Sequence, residues 1–165
     1  MFGEHCLSCT AGYGSSCQGS LIDDAKERVK SYYGKILKST KDLKTNACCS
    51  ADSMPPSQRN ILNKVHPEIR DKFYGCGSPI PPILENCTIL DLGCGTGRDA
   101  YIASALVGAG GSVIGVDMTD EQLNVAKKHF DYQMKEFGYF KPNVEFKQGY
   151  IEDLKEIGIR DNSID

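Results

Sequence analysis

The sequence contains no run approaching the roughly 18 consecutive apolar residues that a membrane-spanning helix requires. Its N-terminus lacks both the charged start and the continuous apolar stretch of a secretory signal peptide. Neither a membrane partner nor export is expected, and the cytosol is the expected compartment. Basic charge is not in excess either. Nineteen Lys and Arg stand against 22 Asp and Glu, and the Lys-rich stretch from Lys35 to Lys44 alternates with apolar residues as a solvated helix face does, so nucleic acid is not an expected partner. Metal-type spacing is scarce. His5, His66 and His129 stand alone and read as surface or helix residues, and the Cys6-x-x-Cys9 pair has no second pair at zinc-ribbon distance.

What is present is enough for one ordinary globular core: 165 residues, of which 40% are hydrophobic and 25% charged. Eight cysteines are the compositional anomaly. They accompany long periodic segments and a glycine-rich loop, which argues for reduced, reactive thiols and against a small secreted disulfide scaffold. Residues 1–20 are rich in Gly, Ser and Cys and read as a flexible leader. Residues 21–86 form a helical and loop extension. Within it, apolar residues recur at helical spacing from Ile22 to Leu43, weakened at Gly34, and a polar loop from Thr45 to Pro56 carries Cys48 and Cys49. A short helix is predicted after Ser57 as N-cap, and another from Pro67 to about Phe73. From residue 87 the pattern alternates: strand Thr88 to Leu92, helix Arg98 to Val107, strand Ser112 to Asp117, helix Asp120 to Phe137, strand Val144 to Lys147, then a helix over Glu152 to Ile157. This order predicts an α/β fold with a doubly wound, mainly parallel, Rossmann-like sheet.

The first strand runs into Asp91-Leu92-Gly93-Cys94-Gly95-Thr96-Gly97 and a helix follows at once. Glycines there permit a tight turn and close backbone approach to a ligand. Asp117 closes the second strand, twenty residues after Gly97, where a carboxylate can accept hydrogen bonds from both hydroxyls of a ribose. The usual dinucleotide fingerprint spaces its last two glycines by two residues and cradles a pyrophosphate. Here the spacing is one residue, and Asp91 would repel a pyrophosphate while orienting the cationic amino acid part of S-adenosylmethionine. The third strand leads to Ile151 and Glu152, placed to flank an adenine and accept from its exocyclic amine. Each also has a plainer reading, as a core residue and as part of the next helix's first turn.

Segments outside the loop resemble the arsenite methyltransferase family: Val29-Lys30-Ser31-Tyr32-Tyr33-Gly34, Thr45-Asn46-Ala47-Cys48, Tyr74-Gly75-Cys76-Gly77 with Pro79-Ile80-Pro81, and Leu84 to Gly93. The glycine loop is common to many methyltransferases, whereas the block from Tyr74 to Pro81 is narrow and carries the resemblance, which covers about Asp24 to Asp165. It implies a class I S-adenosylmethionine-dependent methyltransferase acting on thiol-bound trivalent arsenic, with arsenite or its glutathione conjugates as substrate and glutathione or thioredoxin as reductant. It implies cofactor contacts from Tyr74, Asp117, Met118, Ile151 and Glu152, beside Asp91, Gly93, Gly95 and Gly97 of the loop. Cys48, or its neighbour Cys49 in its place, and Cys76 are implied as catalytic thiols and arsenic ligands. Trivalent arsenic is soft and suits thiolates, and its lone pair can attack the sulfonium methyl without a general base. Cys87 and Cys94 read as packing positions, and Cys6, Cys9 and Cys17 as metalloid capture or simple leader residues.

The sequence reaches Asp165 where such a fold enters its fourth strand. The expectation is therefore a methyltransferase domain, residues 87–165, truncated after the third strand, with an open apolar edge on the first and with the family's two further arsenic-binding cysteines missing. Activity is attributed to the parent protein. Two other readings compete: methylation of a small organic acceptor such as a quinone precursor, and a non-catalytic fragment that binds cofactor or metalloid.

Overall fold

A computed structural model describes residues 21–37, 54–75, 77–81 and 83–165. Helix α1 (Leu21–Ser31) continues into a π-helical turn (Tyr32–Ile36). Helices α2 (Pro56–Leu62) and α3 (Pro67–Asp71) precede β1 (Thr88–Leu92), α4 (Arg98–Val107), β2 (Ser112–Asp117), α5 (Asp120–Lys128), α6 (Phe130–Phe137) and β3 (Val144–Gln148). The three strands pair in parallel in the order β1-β2-β3, with Leu92 beside Val116 and Asp117 beside Gln148. Successive parallel strands joined through helices make this the expected α/β wind, and their C-terminal ends share one rim. No described helix is long and apolar enough to cross a membrane.

Between helices and sheet lies one core. Tyr101, Ile102, Val113, Val116 and Leu123 are almost wholly buried there, and Val65 and Ile69 from the extension are as well. Met54, Leu62 and Leu84 join the same apolar cluster, so the short helices before β1 are held by tertiary burial and not by their own length. Several polar groups inside it are matched: the Tyr101 hydroxyl donates to Ala126 O at 2.7 Å, Thr96 Oγ1 to Ile69 O at 3.1 Å, and Asn143 Nδ2 to Ser104 O and Gly108 O.

Four details depart from the sequence expectation. The first helix does not run on unbroken to Leu43. It widens at Tyr32–Ile36 and Leu37 is extended, while residues 38–43 fall outside the described residues. The cause lies at Gly34, where a Cβ would sit 2.5 Å from Glu121 Oε2: the turn's backbone presses against α5, and Gln122 Nε2 donates to Tyr33 O at 2.8 Å. The N-cap of α2 is Pro55 and not Ser57, because Pro56 needs no amide partner at the first helical position. The long helix expected from Asp120 to Phe137 breaks at His129, whose ring stacks on His66 with centroids 3.5 Å apart. Finally, the stretch after β3 is a chain of turns, not a helix over Glu152 to Ile157. Its bonds span three or five residues, and Gly158 at φ 79° ends any propagation.

The two histidines read as solitary thus meet. Their neighbour Glu68 accepts from His129 Nε2 at 2.6 Å, Lys128 Nζ at 2.7 Å and Lys72 Nζ at 3.0 Å, and its own amide donates to His66 Nδ1 at 3.2 Å. Hydrogen bonds from Lys128, then His129 and Lys72, hold the Glu68 carboxyl far below its ordinary range. Burial, then the His129, Lys128 and Arg70 charges, push His66 below 6.5 against the opposing pull of Glu68. Both shifts have the same consequence: the unfolded chain takes up protons that the native junction refuses, so stability falls as pH drops below about 6.5 and further below about 4.5. In urea titrations the stability advantage of wild type over E68Q is expected to shrink as pH falls below about 4.5; an advantage that stays constant from pH 7 to pH 3 would contradict it.

Candidate functional site

Beyond Leu92 the chain turns back on β2. Gly93 N and Cys94 N both donate to Val116 O, at 2.8 and 3.0 Å, and Gly97 N donates to Cys94 O at 2.8 Å. Gly93, Gly95 and Gly97 take φ of 76°, 54° and 83°, left-handed values that L side chains rarely adopt, so the turn demands glycine at all three. Gly97 is also crowded: a Cβ there would lie 2.8 Å from Phe146 Cζ and 3.2 Å from Ala126 Cβ. Its role is to let the start of α4 sit on the sheet, the part that the third glycine of such loops serves.

Asp117 ties the rim together. Its Oδ2 accepts from Gly95 N and its Oδ1 from Thr119 N, both at 2.8 Å. Each carboxylate oxygen keeps a further lone pair, enough for two ribose hydroxyls. Around it opens a cavity of about 530 Å³, a size suited to a nucleoside-type ligand. Of the residues expected to hold the cofactor, Tyr74, Gly93, Gly95, Asp117, Met118, Ile151 and Glu152 all line it. Asp91 and Gly97 are not among the residues that line the cavity. Cys48 and Cys76, the expected catalytic thiols and arsenic ligands, fall outside the described residues, although Gly75 on the N-terminal side of Cys76 lines the cavity.

Asp91 is the electrostatic anomaly. Its Oδ2 is buried with no hydrogen-bond partner. Burial, then the nearby Asp99 and Asp117 charges, raise its pKa to about 6. An acid that binds its proton more tightly when folded costs stability progressively as pH rises from about 3.8 to about 6. D91N is therefore expected to melt higher than wild type above pH 6 and to lose that advantage below pH 4, as thermal melts across this range would show. A cationic ligand near the loop would offset the same strain.

The cavity has a wall that sequence reasoning missed. Lys26 and Val29 of α1, Tyr33 of the π-helical turn, Lys72, Phe73 and Gln122 all line it. Lys26 reaches across to Glu152 at 3.2 Å and lies over the Tyr150 ring at 4.8 Å, joining the extension to the rim after β3. Tyr33 and Tyr74 rings lie 6.3 Å apart. The signal for this wall was the weakness at Gly34, which marks the close approach of α1 to α5. Cys94 also lines the cavity, but burial, then Asp91 and Asp117, raise its thiol pKa strongly, so it is an inert packing group. Cys87 is half-buried, and both are free thiols.

His66, Glu68 and His129 gather donor atoms within 4.8 Å of one another. Their rings are 3.5 Å apart with planes only 15° from parallel, so the in-plane lone pairs run side by side and do not converge on one ion. Glu68 is already taken by two ammonium groups. The cluster is a structural junction.

Comparison with known proteins agrees with this geometry. The methyltransferase-domain family matches residues 83–165. The arsenite methyltransferase of Aquipseudomonas alcaligenes is 52% identical over 139 residues, 84% of this chain and 40% of that protein. Its namesake in Homo sapiens is 48% identical over 143 residues, 86% of this chain and 38% of that protein. Among solved structures, an arsenic(III) S-adenosylmethionine methyltransferase from Chlamydomonas reinhardtii superposes with a TM-score of 0.65 at 51% identity, covering 67% of this chain and 37% of that one. The chain spans about two fifths of the length of these curated relatives. With its loop, parallel sheet and half its length matched, the chain belongs to the methyltransferase-domain family.

Proposed function

We propose that this chain supplies the S-adenosylmethionine site of an enzyme that methylates thiol-bound trivalent arsenic. The observation that carries the reading is a single cavity with Asp117 and the glycine turn on one wall and the Tyr74-Gly75 end of the Cys76 block on another. Asp117 would hold the ribose, Met118 and Ile151 would flank the adenine, and Glu152 would accept from its amine. Asp91, with its buried Oδ2 short of a partner, would favour a cationic amino acid moiety near the loop. When bound, the cofactor supplies an electrophilic methyl group on a sulfonium.

Cys76 and Cys48 would present arsenic as thiolates, which a soft trivalent metalloid prefers over oxygen donors. Held by those thiolates, arsenic would keep a free lone pair that the two cysteines could aim at the methyl group the cofactor supplies. No proton moves, so no general base is required, and alignment supplies much of the acceleration. Arsenite or its thiol conjugates would be the substrate and a small thiol or dithiol protein the reductant, in keeping with a cytosolic setting where thiols stay reduced. The resemblance to enzymes named for arsenite, at about half identity, favours this over an organic acceptor. Incubating the full-length protein with methyl-labelled cofactor, arsenite and glutathione is expected to give labelled methylarsenicals; label found only in an organic acceptor would overturn the proposal.

A further inference from the structure

Helix α1 and its π-helical turn are fastened to the rest of the fold at two points. At one, Gln122 Nε2 of α5 donates to Tyr33 O at 2.8 Å. At the other, seven residues earlier and about 10 Å away along a helix, Lys26 Nζ lies 3.2 Å from Glu152 Oε1 and 4.8 Å from the centre of the Tyr150 ring. Val29 lies between the two fastenings in the chain. It lines the cavity, as Ile151 does, and both are exposed, so they present apolar surface there that a flat base would cover. The Lys26–Glu152 pair is itself open to water, with the two side chains 32% and 57% exposed. A pair of that kind adds little to stability, so its consequence is geometric. Glu152 is held by its own amide and then by Lys26, and both keep its carboxyl below the usual range. A carboxylate offers about four lone-pair sites, so a held Glu152 still has room for a donor from a ligand.

We infer that Lys26 is a positioning residue for base selection: by holding the Glu152 carboxylate at the cavity wall, it gives the N-terminal extension control over the preference for adenine. The inference rests on the proposed function only in taking the cavity as the nucleoside site, and not on arsenic. Adenine carries an exocyclic amine that can donate to Glu152. Hypoxanthine carries a carbonyl oxygen at the same place, which leaves the carboxylate without a donor and sets two acceptors against each other. A free Glu152 could swing into solvent and tolerate either base. A Glu152 fastened to Lys26 cannot do so without breaking the ion pair, and its fixed orientation also lowers the ordering cost of binding adenine. Lys26 therefore acts through Glu152 and need not touch the base.

The test uses the full-length protein as wild type, K26M, K26R and E152Q. Calorimetry compares S-adenosylhomocysteine with S-inosylhomocysteine, in which a carbonyl oxygen replaces the amine. Wild type is expected to prefer the adenine ligand about a hundredfold. K26M keeps the apolar stem but loses the charge, and should melt close to wild type because the pair is exposed. It is expected to bind S-adenosylhomocysteine about tenfold more weakly and the inosine analogue within about twofold of wild type, so the preference falls to about tenfold. K26R keeps a donor for Glu152 and should restore the preference to within about threefold of wild type. E152Q is expected to lose most of it, since its amide can turn either an oxygen or a donor to the base. If α1 were a wall and nothing more, K26M would weaken both ligands equally, and an unchanged preference would overturn the inference. So would an E152Q that kept the full preference, because the base would then be read elsewhere. Failure of the functional proposal looks different: wild type would show the Lys26-dependent preference and yet fail to methylate arsenite.

Discussion

D117A is expected to weaken S-adenosylmethionine binding about a hundredfold to a thousandfold, because the carboxylate serves two structures at once. In the free protein it accepts from Gly95 N and Thr119 N at 2.8 Å, holding the glycine turn against the end of β2. In the bound protein its remaining lone pairs would take the ribose hydroxyls. Hydrogen bonds to a charged acceptor contribute about 1.5–3 kcal/mol each, so losing two of them accounts for a change of that order. D117N is the sharper comparison. Its amide retains one acceptor oxygen but turns a donor toward one of the two amides, so it should fall between D117A and wild type. Calorimetry with S-adenosylhomocysteine on the full-length protein measures all three. A D117A affinity within fivefold of wild type would show that the sugar is held elsewhere and that the cavity is not the nucleoside site.

The same carboxylate shows why the centre of the site was legible in the sequence and its roof was not. A loop residue bound by its own backbone needs glycines at fixed offsets, and those offsets survive any tertiary setting. Hence β1, α4 and β2 begin and end where their residues indicate, at Thr88–Leu92, Arg98–Val107 and Ser112–Asp117. The roof depends on encounters between distant segments. Lys26 meets Glu152 across 126 positions, and Gln122 meets Tyr33 across 89. Neither pairing has a local signature, and polar residues on an amphipathic helix read equally well as a solvated face. The same holds for His66 and His129, each unremarkable until α3 lands on the junction of α5 and α6 and stacks their rings. Arg98 illustrates a third case. Its position after the glycine turn was plain, but an arginine opening a helix gives no hint that it will be buried under Phe73.

G97A tests the other half of the loop's logic, in which glycine is required by packing as well as by backbone conformation. At φ 83° an alanine costs about 1–2 kcal/mol, and its methyl would fall 2.8 Å from the Phe146 ring. Phe146 cannot retreat freely. Its ring packs edge-on to Tyr101 with centroids 5.3 Å apart and belongs to the cluster that joins β3 to α4. Overpacking against a fixed aromatic adds about 1–3 kcal/mol, so G97A is expected to lower stability by about 3 kcal/mol and the melting temperature by roughly 10 °C. G97A with F146L removes the obstruction but not the backbone strain. G97A should therefore cost less in an F146L background than in wild type, giving a favourable coupling in a double-mutant cycle. Strict additivity of G97A and F146L would mean that Gly97 is required for its dihedral angle alone, and that the close seat of α4 on the sheet, from which Arg98 reaches Gly77, is set by other contacts.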